Sequence, residues 1–333
     1  MLAFNMTLSS GTPPAGDGTK RRASLPGFRS IAFALLAMML GFSGDPRDAS
    51  ATSTPITLGT ATNYGLLVGT GETLNLNGGL NLSGNIGIGA NSTVNMAGNN
   101  AIAGNAYTDS TVNLNYNSGY TSLSGNLYTQ SMAQAISDAA LASTSAGALT
   151  ATSGLVDQGG SITSSVTIKA LTSLSENVLD VSSVSLTNGT IAFDDNGYTG
   201  AKFIINVTGN FSLSGVTIKA ANGASASDII FNIEGVGKAV SITGGTTLGT
   251  VLVPASNVTV GGGSLTGELI DGVNNAGKSY TLNAQSTGYN ITSFAYIPRQ
   301  TKVPEPSSLA LLGAGMTGLA LLRRRLQRRR SGG

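Results

Sequence analysis

The 333-residue sequence predicts an all-β fold with one helix: a right-handed β-solenoid (β-helix) with an α-helix packed alongside, an N-terminal signal helix and a C-terminal transmembrane helix. Three observations carry this. Short alternations of apolar and polar residues, each ended by Gly, Asn or Ser, recur through residues 52–298 and read as strands and turns. Several of these runs return after about twenty residues, the period of stacked coils. One mid-chain segment alone carries helical spacing.

At the front of the chain, Lys20, Arg21, Arg22 and Arg29 precede an apolar run from Ile31 to Phe42, and Ala49-Ser50-Ala51 follows. A basic region, an apolar region and an A-x-A site describe a secretory signal peptide, so residues 1–51 are expected to be removed by cleavage after Ala51. Met6 is an alternative start. Arg21-Arg22 is only a weak twin-arginine match, because Ala23-Ser24-Leu25 departs from that motif.

Next come the short strands. Leu82-Ser83-Gly84-Asn85 returns as Ile102-Ala103-Gly104-Asn105 and again as Leu123-Ser124-Gly125-Asn126, and Thr93-Val94-Asn95-Met96 is matched to Thr111-Val112-Asn113-Leu114. One such coil cannot bury its inward Leu, Ile and Val alone, so coils stack. Asn at repeated corners tolerates left-handed backbone and can bond to the Asn of the next coil. The helical segment runs from Ser131 to Ala142, with Met132, Ile136, Ala139 and Ala140 on one stripe and Ser131 and Gln134 as a capping box. A helix this short is marginal in isolation and is expected to lie along the solenoid. Residues 143–160 read as a loop. Beyond them the strands are more apolar; Phe203-Ile204-Ile205-Asn206-Val207, Ile229-Ile230-Phe231-Asn232-Ile233 and Val251-Leu252-Val253 read as successive coils.

The chain ends with Val303-Pro304-Glu305-Pro306, an uncharged apolar span over 307–322, and an arginine cluster over 323–330 that starts with Arg323, Arg324 and Arg325. As a helix the span would reach roughly 24 Å, against a hydrocarbon core of about 30 Å, so it is a marginal membrane crossing. The arginines would hold its end in the cytoplasm.

Composition excludes several function classes. Five of the 18 Lys and Arg lie in residues 1–51 and six in the tail, leaving seven against twelve acids in 52–303, a balance of about −5 there. Such a domain has no basic patch for phosphates, so nucleic acid is not an expected partner. The chain has no Cys and no His, which removes thiol nucleophiles, Ser-His-Asp triads and zinc sites of the usual ligand types. No cofactor is expected.

Candidate sites are few. Asp194-Asp195-Asn196-Gly197 offers oxygen ligands for calcium but lacks the spacing of an EF-hand loop, and reads as a solvated hairpin turn. Glu234, Glu268 and Asp271 are the acids available for a glycosidase pair, yet nothing in the sequence joins two of them, and Glu268 reads as part of a Gly-rich edge strand. The expectation is that the protein is not an enzyme. Thr60-Ala61-Thr62 and Thr150-Ala151-Thr152 are Thr-x-Thr motifs of the kind an ice-binding face needs, but they do not recur at the coil period.

Two families resemble parts of the chain. Val303-Pro304-Glu305-Pro306, the short span and the arginines together resemble a PEP-CTERM sorting signal. This implies export through the translocon, an inner-membrane intermediate, and processing by an exosortase in a Gram-negative bacterium that makes exopolysaccharide. The motifs at Leu58-Gly59, Asn63-Tyr64-Gly65-Leu66-Leu67-Val68-Gly69, Ile205-Asn206-Val207-Thr208-Gly209, Ile230-Phe231-Asn232-Ile233, Val251-Leu252-Val253-Pro254-Ala255-Ser256-Asn257-Val258 and Gly262-Gly263-Ser264-Leu265-Thr266-Gly267 resemble a choice-of-anchor A domain. The mid-chain helix is also similar to that of the bacterial ice-binding solenoids. Neither resemblance brings catalytic residues. The expected organisation is a signal peptide over 1–51, the solenoid over 52–298 and a sorting tail over 299–333. The expected role is that of a cell-surface or exopolysaccharide-matrix structural and adhesive protein, with ice or glycan binding as the alternative.

Overall fold

A computed structural model describes residues 55–116, 121–173, 176–234, 237–254, 256–270, 279–282 and 289–298. The chain separates into two units, Met1–Ala51 and Thr52–Gly333, and all described residues belong to the second. The signal peptide with Ala49 and Ala51, Asp271, the Val303–Pro306 motif, the apolar span and Arg323, Arg324 and Arg325 all lie outside the described residues.

Among the described residues the strands form three parallel sheets of nine, visited in turn by each coil. The sequence repeats set this register: Leu82 stands beside Ile102 and Ile102 beside Leu123 on adjacent coils. The second repeat pairs differently from the expectation. Thr93 lies opposite Asn113 and Asn95 opposite Asn115, so the matching run is Asn113-Leu114-Asn115-Tyr116 and the assumed alignment was two residues off. Thr111 serves the turn instead, its Oγ1 accepting from the Asn91 N–H at 2.8 Å.

The stacking order is not the chain order. Coils over 66–83, 86–102 and 106–123 climb from the middle of the stack to one end, where strand Leu127–Thr129 adds to the first sheet. The chain then crosses as helix α1 (Ala133–Gly147) and restarts at the far end with strands Ser161–Ile162 and Val166–Lys169. Further coils return to the middle, and the last pairs with the first: Leu269 beside Leu66, Tyr280 beside Leu74, Ile291 beside Leu82.

Packing explains the two kinds of strand. In the first sheet Phe203–Val207 and Ile229–Ile233 are buried at every position. Phe203, Ile205 and Val207 point into the solenoid core, while Ile204 joins Leu67, Val178, Ile230, Leu252 and Ile270 beneath α1. A parallel sheet covered on both faces reads as a continuous apolar run. The other two sheets are covered on one face only and keep the alternation.

The helix starts later and ends later than expected. The N-cap is Met132, Ser131 Oγ accepts from the Ala133 N–H at 3.3 Å rather than from Gln134, and Gln134 donates forward to Asp138, so the expected capping box does not form. The loop expected from residue 143 is helix through Gly147. Ser143 Oγ donates to Asn232 Oδ1 at 2.6 Å, and Asn232 Nδ2 donates to the Ser143 carbonyl. This tertiary pairing overrides the weak helical preference of the Ser and Thr residues there. Among the described residues no helix is long and apolar enough to cross a membrane.

The Gly-Asn corners also differ from expectation in mechanism. Among the described residues the left-handed non-glycine positions are Asn91, Asp157, Asn188, Asn196 and Asn222, not Asn85 or Asn105. Gly104 is required by proximity instead: a Cβ there would stand 2.2 Å from the Gly84 carbonyl oxygen on the neighbouring coil. The corner Asn residues do link coils, with Asn85 Oδ1 accepting from Asn105 N–H and Asn105 Oδ1 from Asn126 N–H, both at 2.9 Å.

Candidate interaction face

The helix covers the first sheet, which leaves the second and third as open faces. In the second sheet, inward Leu, Val, Ile and Phe fix which side chains point out. In register across the coils, one outward row runs Ser185, Ser212, Ser241 and Thr259 and resumes, past the backbone position of residue 281, as Asn75, Asn95 and Asn115. Neighbours within a row are about 4.8 Å apart, and rows are about 6.7 Å apart along the strands, so hydroxyl and amide groups form a regular grid. No strand of this sheet contains a charged residue.

The Asn end of the row is tied into a ladder. Asn95 Nδ2 donates to Asn75 Oδ1 at 2.8 Å and Asn115 Nδ2 to Asn95 Oδ1 at 2.7 Å. Each link holds its neighbour in one rotamer, which makes the surface rigid before any ligand arrives. The third sheet is less uniform, since its outward positions include Lys169 and Lys219.

The acidic candidates do other work. Asp194 and Asp195 are buried at a corner within a coil, so the expected solvated hairpin is corrected: the flanking strands Thr190–Asp194 and Phe203–Val207 belong to different sheets, and the turn carries left-handed Asn196 and Gly197. Asp194 accepts from Asn222 Nδ2 and Asn196 N–H, and these bonds hold its carboxyl below the usual range; Asp195 accepts from Gly197 N–H. Among the described residues no cluster of three or more acidic side chains could hold a metal ion.

Glu268 is fully buried in the middle of the stack, not on an edge strand. Thr250 Oγ1 donates to it at 3.3 Å, and burial pushes its carboxyl up to about 8. Glu234 is also raised, first by burial and then by Asp180, and accepts from Asn232 Nδ2. Glu268 precedes its strand in the first sheet and Glu234 follows its own. The register sets them four residues apart along the strand direction, about 13 Å, beyond the roughly 5–9.5 Å of a glycosidase pair.

Thr60 and Thr62 lie in a 3-10 turn, where Thr60 donates from both N–H and Oγ1 to Asp138 on α1 at 2.7 Å, and Thr152 Oγ1 accepts from the Val178 N–H. Neither Thr-x-Thr motif belongs to an open strand face. Sequence reasoning missed a buried polar seam. Lys202 pairs with Asp228 on the next coil, 26 residues on, under the ring of Tyr296, whose centroid is 5.6 Å from Lys202 Nζ. Both residues immediately precede strands of the first sheet, so the coil period marked them.

A family model described as an ice-binding-like adhesive domain matches residues 40–289. The chain belongs to this family. The PEP-CTERM protein-sorting motif matches residues 302–325, so this ice-binding-like adhesive protein carries a surface-export signal read by an exosortase. The family found over the solenoid is this one; choice-of-anchor A remains a likeness of the strand motifs. Among solved structures, the ice-binding protein of an Antarctic Flavobacteriaceae bacterium is 18% identical, with a TM-score of 0.50 over 72% of this chain and 49% of that one. The ice-binding protein of the Antarctic ascomycete Antarctomyces psychrotrophicus is 16% identical over 72% of this chain and 99% of that one, with a TM-score of 0.49. One from an Antarctic biological consortium is 23% identical over 71% and 90%, with a TM-score of 0.46. The Flavobacteriaceae likeness shows a shared fold. No curated protein matches the chain.

Proposed function

We propose that this protein is a non-enzymatic adhesive module of the cell surface, whose second sheet binds a repetitive, hydroxyl-rich partner such as exopolysaccharide. The carrying observation is the uncharged grid of Ser, Thr and Asn across the second sheet, stiffened by the Asn75–Asn95–Asn115 ladder. Each hydroxyl or amide is a weak donor or acceptor, but a rigid row can engage many groups of one polymer at once. Residues 1–51 would direct secretion. The span at 307–322 would hold an inner-membrane intermediate in a Gram-negative cell until exosortase acts at Val303–Pro306. The strand motifs that resemble choice-of-anchor A fit the same use, a display module carried on a tail.

A second reading, ice binding, rests on the same grid, because a flat array with fixed spacing can also order water. Binding of the purified protein to extracted exopolysaccharide tests the first reading, with Asn75→Lys and Thr259→Lys on the grid and Ser264→Lys on the third sheet as control. Loss of binding in the two grid variants alone supports it. Equal binding by all three overturns it, and thermal hysteresis abolished by the same two changes would favour ice.

A further inference from the structure

The two ends of the stack differ. At the far end, the edge of strand Asn177–Val181 is covered by the segment between α1 and Ser161. Thr152 N–H donates to the Val178 carbonyl and Gly159 N–H to the Asp180 carbonyl; Asp180 N–H in turn donates to Gln158 Oε1. Leu155 is buried over the core there. Solenoids need such polar caps.

The opposite end has no comparable cover among the described residues. All three sheets terminate there, in strands Leu127–Thr129, Asn113–Tyr116 and Thr121–Leu123. A cavity of about 250 Å³ opens into the core between Ile88, Met96, Ile102, Leu114 and Leu123. Leu127 and Tyr128 are 54% and 43% exposed. Asp109 is the one charged residue between 106 and 130, so the edge lacks the lysines that usually block edge pairing.

Three ladders run up to this end; two join like side chains, and in the corner one each Asn Oδ1 accepts from the backbone N–H of the next Asn. The amides of Asn75, Asn95 and Asn115 form one. Asn85, Asn105 and Asn126 form the corner ladder. The third is aromatic: Tyr64 meets Tyr107 edge-on, and Tyr107 stacks on Tyr128 at 5.2 Å with 18° between the rings. The geometry points to a second copy of this chain as the occupant: two molecules join open end to open end about a two-fold axis. An axis through the second sheet sets Asn115 against Asn115 of the other copy and, at the opposite corner, Asn126 against Asn126, and the edge strands pair antiparallel. The capped far ends stop growth, so the assembly closes as a dimer rather than a fibre.

Sedimentation of the full chain in mild detergent, across a concentration series, tests this. A dimer is expected, and Leu127→Lys with Tyr128→Lys should raise its dissociation constant at least tenfold. Leu171→Lys, away from the open end, should leave it unchanged. Since the chain has no Cys, single Cys variants at Asn115, Asn126 and Tyr128 provide a second readout that does not depend on the lysine variants folding. At least one should give a covalent dimer on mild oxidation. A monomer at every concentration, or a dimer indifferent to the open-end lysines as a tail-mediated one would be, overturns the proposal.

Discussion

Lys202 and Asp228, one coil apart, form a buried ion pair beneath Tyr296, and Asp228 also accepts from the N–H and Oγ of Ser225. The carboxylate therefore ends one turn and anchors the next coil. Tyr296 belongs to the segment that follows the last coil, and Ile297 N–H donates to the Ser227 carbonyl, so this pair also fastens the stretch leading to the sorting tail.

Removing one partner should leave the other charge buried. Lys202→Met is expected to cost about 3–5 kcal/mol of unfolding free energy. Asp228→Ala should cost more, because it also releases Ser225. Lys202→Met combined with Asp228→Leu should recover part of the loss. Urea melts of the four proteins check the order.

Glu268 makes stability depend on pH. Its folded pKa, about 8, lies above the ordinary 4.5, so the folded protein holds the proton that the unfolded chain releases. This contribution is fully present below about pH 4.5 and is lost as pH rises toward 8, at up to roughly 1.4 kcal/mol per unit. Glu268→Gln should remove that slope and stabilise the protein more at pH 8 than at pH 5. Thermal melts across this range measure it, and parallel curves for the two proteins would contradict it.

Asn95 both donates to Asn75 and accepts from Asn115. Asn95→Ala breaks two links and is expected to cost about 1–2 kcal/mol, whereas Asn115→Ala, at the ladder's end, breaks one and should cost about half as much. The difference separates a ladder from three independent side chains, and chemical denaturation reads it.

Local features were legible where chemistry and period coincide. Leu82, Ile102 and Leu123 fall in register because each is an inward residue just before a Gly-Asn corner. The order of the coils was not legible. Leu66 and Leu269 are paired across most of the domain's length, and every coil presents a similar alternating edge, so sequence alone does not say which two meet. The helix end was hidden for a related reason: the residue that holds Ser143 is Asn232, a partner no local window contains. The grid was visible only as an excess of Ser, Thr and Asn until register placed those residues in rows.

Deleting residues 303–333 should abolish exosortase-dependent sorting while leaving the solenoid folded, because the described core ends before that segment. Fractionation of cells and medium, with circular dichroism of the truncated protein, checks both halves. Unchanged surface retention would contradict the sorting assignment.

Two glycines test whether close stacking of coils is a packing requirement rather than a backbone one. Neither Gly104 nor Gly189 is left-handed, so a Cβ at either is judged by space alone. At Gly104 it meets a backbone oxygen of the next coil at 2.2 Å, and nothing can yield unless the coils part. Gly104→Ala should therefore cost at least about 1–3 kcal/mol. At Gly189 the nearest atoms, 2.8–2.9 Å away, belong to the side chain of Leu186. Side-chain atoms can give where a backbone oxygen cannot, so Gly189→Ala should cost less than Gly104→Ala, part of the loss being offset by the lower entropy of its unfolded state. Equal losses in the two melts would mean that the coils accommodate a methyl group by sliding, and that the interstrand spacing of the proposed binding grid is not fixed by these corners.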